Sequence, residues 1–275
     1  MPSLMATTTT TTTPPSFDWH PARLLQSQEA PPDDFALLIL NQPLKNSVNL
    51  RKLWRNSSMR VAADGGANRL HELSSFRGKY SNLQLIIGDL DSLDASVRDF
   101  YSSQPTPARV IHDTDQYSTD FGKAIKWIRN ECPDGIDIVA LGGIGGRVDQ
   151  GLSQLHHLYL YQQEARYNNG RIYLLSGSSL TFLLKAGMHH IQVREEEEGE
   201  EVVFAKHIGI IPLKEPSCIT TKGLEWDVTD WETQIGGNLS TSNHVRPETR
   251  WIEVQTTKDV LFTIALRHVE SEDEG

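Results

Sequence analysis

An α/β amino-terminal domain on a mostly parallel sheet, followed by an all-β carboxy-terminal sandwich or barrel, is the fold class this sequence predicts. Three observations carry it. Between Phe35 and about Gln163, short apolar runs alternate with segments of helical period, as in strands joined by crossover helices. After about Arg171 the helical periods vanish, and short β-rich segments separated by Gly, Pro and Asn take over. Four acidic or glycine-rich loops each follow an expected strand directly. That places them together at the carboxyl edge of the sheet, where open, Rossmann-like α/β sheets bind their ligands.

Taken in order, Met1 to Pro32 reads as a disordered leader, Thr-rich from Thr7 to Thr13, then Pro14-Pro15, with no basic residue before Arg23. It has neither the apolar core of a secretory signal nor the arginine-rich pattern of a mitochondrial one. The α/β domain is expected over residues 33–170. Its strands are Phe35 to Leu40, Arg60 to Ala63, Leu83 to Ile87, Arg109 to His112 and Ile136 to Leu141. The intervening helices are Leu50 to Arg55, Ala67 to Leu73, Leu93 to Tyr101, Thr119 to Asn130 and Val148 to about Gln163. In the last, Leu152, Leu155, His156 and Tyr159 share a face at core-like spacing. A β-rich domain follows over 171–270, with its boundary between about Gln163 and Ser178. Its strands are Arg171 to Leu175, Leu180 to Leu184, His190 to Val193, Val202 to Phe204, Ile208 to Pro212, Trp251 to Gln255 and Val260 to Leu266. The run Glu195 to Glu201 reads as a solvated hairpin tip or insertion, because contiguous like charges repel. Residues 271–275 form an acidic tail.

Composition narrows the function classes. At 275 residues the chain can bury a sizeable core. A net charge of -10 argues against a nucleic-acid partner, since phosphate backbones recruit Lys and Arg. The two cysteines, Cys132 and Cys218, have no CxxC spacing, so neither a disulfide framework nor a zinc site is expected and a reducing, cytoplasmic setting is the default. No apolar run approaches the roughly 18 residues that span a bilayer, so no membrane partner is expected.

The central loop is Gly88-Asp89-Leu90-Asp91-Ser92. In extended geometry residues two apart point the same way, so Asp89 and Asp91 should project together from the strand end. Two carboxylates that close repel unless a cation or proton lies between them, which makes a hard, oxygen-seeking ion such as Mg²⁺ a natural occupant. A turn of Asp and Ser that caps the next helix accounts for the same residues taken singly. In Asp64-Gly65-Gly66-Ala67-Asn68, a strand runs through two glycines into a helix whose amides can approach a ligand. The segment Asp113 to Phe121 places Asp115 and Asp120 at the same edge, with Thr119 and Asp120 also fitting a plain helix start.

The fourth loop, Gly142 to Gln150, sets four glycines ahead of Arg147 and a helix, a phosphate cradle with its own cation. It is not a dinucleotide fingerprint, because Val148 takes the third glycine position, and Gly122-Lys123-Ala124 is not a Walker A end. Together the loops gather Asp64, Asp89, Asp91, Asp120 and Asp149 at one edge with Arg147 as the lone cation. These are the parts for metal-assisted phosphoryl-type transfer.

With those loops in place the chain resembles the thiamin pyrophosphokinase family from roughly Phe35 to Leu266. The motifs that carry the resemblance are Asp64 to Asn68, Gly88 to Ser92, Ser118-Thr119-Asp120-Phe121, Gly142 to Gln150, Gly223-Leu224-Glu225-Trp226, and Ser240-Thr241-Ser242-Asn243. The resemblance implies a homodimer whose α/β domain binds ATP and Mg²⁺, with thiamin held at the subunit interface against the partner's β-rich domain. The implied reaction moves a diphosphoryl group from ATP to the hydroxyethyl oxygen of thiamin, giving thiamin diphosphate and AMP. Residue by residue, it implies Asp64, Asp89, Asp91 and Asp120 as metal ligands, and Asp89, Asp91, Asp120 and Asp149 as the catalytic set. Asp64, Asn68, Gln116, Thr119, Arg147 and Gln150 become nucleotide-binding, and Trp226, Ser240, Ser242 and Asn243 shape the thiamin site. Position 150 is Gln where many members carry His. For Trp226 the structural alternative is a core aromatic, and for Ser242 and Asn243 a plain turn.

Two other readings compete. One is a phosphatase with an aspartyl nucleophile in the Asp89-Leu90-Asp91 loop, although Ser92-Leu93 departs from that pattern and the Gly142 to Gln150 loop would be unexplained. The other is a non-catalytic nucleotide or vitamin sensor on the same fold.

Overall fold

The computed structural model of the chain describes residues 14–26, 34–44, 47–74, 79–194 and 202–267. The amino-terminal half alternates strand and helix: β2 (Phe35–Ile39), α1 (Ser47–Asn56), β3 (Met59–Ala63), α2 (Gly66–Ser74), β4 (Leu85–Gly88), α3 (Ala95–Ser102), β5 (Arg109–His112), α4 (Asp120–Glu131), β6 (Asp137–Leu141) and α5 (Val148–Leu160). Ahead of them stand β1 (Ser16–Trp19) and a 3₁₀ turn, Pro21–Leu25. The remainder is β: β7 (Ile172–Leu175), β8 (Ser179–Leu184), β9 (Gly187–Gln192), β10 (Phe204–Ile211), β11 (Ser217–Lys222), β12 (Trp231–Thr233), β13 (Ser240–His244), β14 (Trp251–Thr256) and β15 (Val260–Leu266).

One ten-stranded sheet runs β13-β10-β15-β8-β7-β6-β2-β3-β4-β5. From β7 to β5 its pairs are parallel, and from β7 to β13 antiparallel. The central parallel strands β2, β4, β6 and β7 are buried on both faces, which is why they read as apolar runs, whereas the edge strand β5 is partly exposed. Leu37 and Ile39 of β2 point into one core with Leu50 and Leu53 of α1, while Ala36 and Leu38 join Phe121, Ile125 and Ile128 of α4 in the other. A second sheet, β1-β9-β14-β11-β12, covers the antiparallel half. Its Ile191, Ile219 and Ile252 share a core with Phe182, Phe262 and Ile264 of the large sheet.

Three expectations are corrected. The leader is not featureless to Pro32: β1 pairs in parallel with β9, and Trp19, fully buried, stacks on Phe182 at 4.6 Å and donates Nε1–H to His189 Nδ1 at 2.9 Å. An indole that size contributes enough apolar burial to order its strand. Second, the large sheet passes through the expected boundary unbroken, since β6 and β7 are parallel neighbours. Third, α5 buries Gly151, Gln154, His157 and Leu158. The face expected in the core is only half covered: Leu155 and Tyr159 pack against the core, while Leu152, 57% exposed, and His156 face an open groove. The Glu195 to Glu201 run, the acidic tail and the Thr7 to Thr13 stretch lie outside the described residues. Among the described residues no helix is long and apolar enough to cross a membrane.

Candidate active site

The large sheet reverses its strand order at β2, which has β3 on one side and β6 on the other. Such a reversal opens a crevice at the carboxyl ends of the strands. A cleft of about 580 Å³ lies there, lined by Asp64, Asp89, Asp120, Gln116, Thr119, Arg147 and Gln150, with Asn41 and Gln42 from the end of β2.

Asp64, Asp89 and Asp91 bring one carboxylate oxygen each to within 4.8 Å of one another. The cause differs from strand alternation. β4 ends at Gly88, and Leu90 is left-handed at φ 61°, so the two aspartates meet across a tight turn closed by Asp91 N–H donating to Asp89 Oδ1 at 3.3 Å. Asp64 is left-handed as well, at φ 42°. Backbone strain at two non-glycine positions in one cluster is typical of places where the surroundings over-determine the geometry. Gly88 makes the convergence possible: a Cβ there would lie 2.7 Å from Asp64 Cβ and 3.0 Å from Asp120 Oδ1.

The donor set fits a hard divalent cation. Asp64 is buried; its Oδ2 accepts from Ser92 N–H at 3.2 Å, while its Oδ1 is buried with no hydrogen-bond partner. An orphaned carboxylate oxygen beside two other carboxylates is unfavourable unless a proton or a metal joins it. Burial pushes the Asp64 carboxyl pKa up, and the nearby Asp120 charge adds to the rise. Asp120 stands outside the trio. Its Oδ1 accepts from Asp89 N–H and from Lys123 Nζ, both at 3.2 Å. Arg147 is therefore not the lone cation: Lys123, its side chain 2% exposed, sits behind the aspartates.

Arg147 is exposed and forms a two-pronged pair with Asp149, Nε to Oδ1 at 3.1 Å and Nη2 to Oδ2 at 2.6 Å. That hydrogen bond lowers the Asp149 pKa. Arg147 and Gln150 line the cleft, whereas neither Asp91 nor Asp149 is among its lining residues; Asp91 joins Asp64 and Asp89 in the carboxylate trio, and Asp149 does not. The glycine loop ahead of them has Gly142 at φ 91° and Ile144 at φ 42°, with Ile144 N–H donating to Gln154 Oε1 at 2.5 Å. Thr119 caps α4, accepting from Gly122 N–H at 3.1 Å, and its hydroxyl also meets His157 Nε2 at 2.8 Å. Beside it Asp115, its pKa lowered by the Ser118 hydroxyl, folds back on Tyr117 N–H. Asn68, expected at the nucleotide, is not among the residues lining the cleft. Its amide is spent on Ser92 O at 2.7 Å and Asp94 N–H at 3.1 Å, tying α2 to the aspartate turn.

Sequence reasoning missed Asn41, Gln42, Ser153 and Gln154 of the lining. Asn41-Gln42 directly follow the apolar run of β2, the same strand-end signal that marked the other loops. Ser153 and Gln154 sit inside a helical pattern and carried no signal.

Trp226 is 54% exposed and is not a core aromatic. Its N–H donates to Asn243 Oδ1 at 3.2 Å and its carbonyl accepts from Asn243 Nδ2 at 2.9 Å, so buried Asn243 is a clamp. Ser242 is exposed and left-handed at φ 59°, and Ser240 starts β13. None of Trp226, Ser240, Ser242 and Asn243 lines the acidic cleft of this chain.

Comparison with known proteins gives a consistent result. The family model for the thiamin pyrophosphokinase catalytic domain matches residues 50–168, and that for the thiamin pyrophosphokinase vitamin B1 binding domain matches residues 188–261. Thiamine pyrophosphokinase 1 of Arabidopsis thaliana is 38% identical over 250 residues, covering 85% of this chain and 86% of that protein. Thiamine pyrophosphokinase of Saccharomyces cerevisiae is 30% identical over 260 residues, covering 77% and 79%. Among solved structures, thiamin pyrophosphokinase from Candida albicans superposes with a TM-score of 0.77 at 26% identity, covering 93% of this chain and 95% of that one.

Proposed function

The chain belongs to the thiamin pyrophosphokinase family, and from that premise we propose that it transfers a diphosphoryl group from ATP to the hydroxyethyl oxygen of thiamin, with Mg²⁺, giving thiamin diphosphate and AMP. The observation that carries the reading is the trio Asp64, Asp89 and Asp91 with its orphaned buried oxygen, at the strand-order reversal of an α/β sheet.

In this reading Asp64, Asp89 and Asp91 hold the metal. When bound, Mg²⁺ offsets the charge of the phosphate oxygens and eases attack at the β-phosphorus. Asp120 supports the trio through the Asp89 amide and is itself fixed by Lys123. Arg147 and the amides of the glycine loop face the phosphates, with Gln116, Thr119 and Gln150 around the nucleotide. A primary alcohol is a poor nucleophile, and a carboxylate of the cluster accepts its proton. Asp149 acts by holding Arg147 in its two-pronged pair rather than by touching the reacting atoms.

Trp226, Ser240 and Ser242, with Asn243 as the clamp on Trp226, form the acceptor site. In this reading a homodimer supplies them from the partner, with thiamin at the interface, and their absence from the lining of the acidic cleft of their own chain supports it. Neither nucleic acid nor membrane enters the scheme, and a cytoplasmic placement goes with it. Asp91→Ala tests the metal role: turnover should fall by at least about 10²-fold, the scale of one main electrostatic group, with an unchanged circular dichroism spectrum. A folded, fully active Asp91→Ala protein removes the trio from the mechanism.

A further inference from the structure

We propose that Glu225 is a specificity-determining residue for the acceptor, its carboxylate supplying the counter-charge to a cationic heteroaromatic ring that lies against Trp226. The proposal rests on the thiamin reading above and names the group that recognises the permanent positive charge of the thiazolium. Three side chains meet here. The Trp226 indole packs tilted on the His244 imidazole with centroids 5.1 Å apart, and Glu225 Oε2 accepts from the same imidazole, at Nδ1, at 2.6 Å. His207 also meets His244, edge-on at 4.8 Å. One imidazole thus brings a carboxylate and an open indole face onto a single patch. The Glu225 side chain remains 51% exposed, and its Oε1 has no protein partner among the described residues.

The backbone presenting the pair is rigid. Glu225 N–H donates to His244 O at 2.8 Å, Asn243 clamps Trp226 on both sides, and Leu224 bridges Val245. The neighbouring carboxylate, Asp227, is spent within the turn: it accepts from Gly223 and Leu224 N–H and from Thr221 Oγ1, and lies 3.8 Å from Arg246. Glu225 is left as the acid that faces a ligand. A large aromatic held rigid yet half exposed, beside an acid with a free oxygen, is the arrangement that binds flat cations, through the ring quadrupole and direct charge pairing. An uncharged flat ligand would gain the stacking and not the charge.

The test compares thiamin with a neutral isostere whose thiazolium is replaced by thiophene, each titrated calorimetrically into full-length protein, wild type and Glu225→Gln. Wild type should bind thiamin more tightly than the isostere. Glu225→Gln should lose about fivefold for thiamin and little for the isostere, the scale of a half-exposed ion pair, and KM for thiamin should rise in step with the lost affinity. Glu225→Asp, which keeps the charge, should recover much of the discrimination, and added salt should shrink it in wild type. Equal losses for both ligands would make Glu225 a packing residue and overturn the proposal, as would unchanged thiamin affinity in Glu225→Gln. If wild type forms thiamin diphosphate and only the charge discrimination is missing, this proposal alone fails. If wild type binds neither ligand, the functional reading fails with it.

Discussion

Gly88→Ala probes the geometry that gathers the aspartates. Its added Cβ would sit 2.7 Å from Asp64 Cβ and 3.0 Å from Asp120 Oδ1. Non-bonded carbons rest at about 3.5–4.0 Å, so Asp64 must retreat by about 1 Å. β4 cannot yield instead, because Ile87 pairs with Ala63 on one side and Gly88 with His112 on the other. Metal–ligand distances tolerate only about 0.2 Å, so a shift of this size detaches Asp64 from the trio. Overpacking of this kind costs about 1–3 kcal/mol, and each kcal/mol lowers Tm by about 2–4 °C in a chain of this size. Turnover should fall by about 10²-fold or more, the scale of losing one main electrostatic group, and the Mg²⁺ concentration for half-maximal rate should rise. The assay is the Mg²⁺ dependence of thiamin diphosphate formation, read beside a thermal melt. A lowered Tm with wild-type turnover and Mg²⁺ dependence would refute the claim that Gly88 sets the metal geometry.

Other consequences follow from the same structure. Trp19→Ala should cost about 3–5 kcal/mol in a urea titration, the range for emptying a fully buried aromatic site, and deleting Met1 to Pro32 should destabilise at least as much because β1 goes with it. His189, buried and accepting from Trp19 N–H, has its pKa lowered by burial from 6.5 to about 4. Between those values the unfolded chain binds a proton that the folded chain does not, so stability should fall as pH drops from about 6.5 to about 4. His189→Gln should flatten that slope in melts across the window. Lys123→Met removes a partner of Asp120 Oδ1 and should cost about 1–3 kcal/mol, with a larger Mg²⁺ requirement in the rate assay.

The parallel half of the fold was legible because its central strands are buried on both faces. Phe35–Ile39 and Asp137–Leu141 read as apolar runs for that reason. β11, Ser217–Lys222, buries only alternate residues among Thr and Ser and gave no such run. β1 was hidden by the composition of the Thr run before it, although Phe17 and Trp19 are the kind of residues that anchor a strand. Periodicity placed Leu152 and Leu155 on one helix face correctly, but spacing cannot say whether anything covers that face.

At the site, the same strand-end rule found Asp64, Asp89 and Asp120 and should have included Asn41 and Gln42. Asp89 and Asp91 do converge, through left-handed Leu90 rather than strand alternation, because sequence does not reveal where a turn begins. Lys123 went unnoticed as a cation of the site, since a lysine in a helical pattern reads as surface. Its burial is visible only once α4 is packed on the sheet.

The most direct test of the central claim follows the nucleotide. Purified protein is incubated with ATP, Mg²⁺ and thiamin, and the products are separated by chromatography. Diphosphoryl transfer requires AMP and thiamin diphosphate to appear one for one, and both to vanish on chelation. ADP or free phosphate in place of AMP, without thiamin diphosphate, would contradict it.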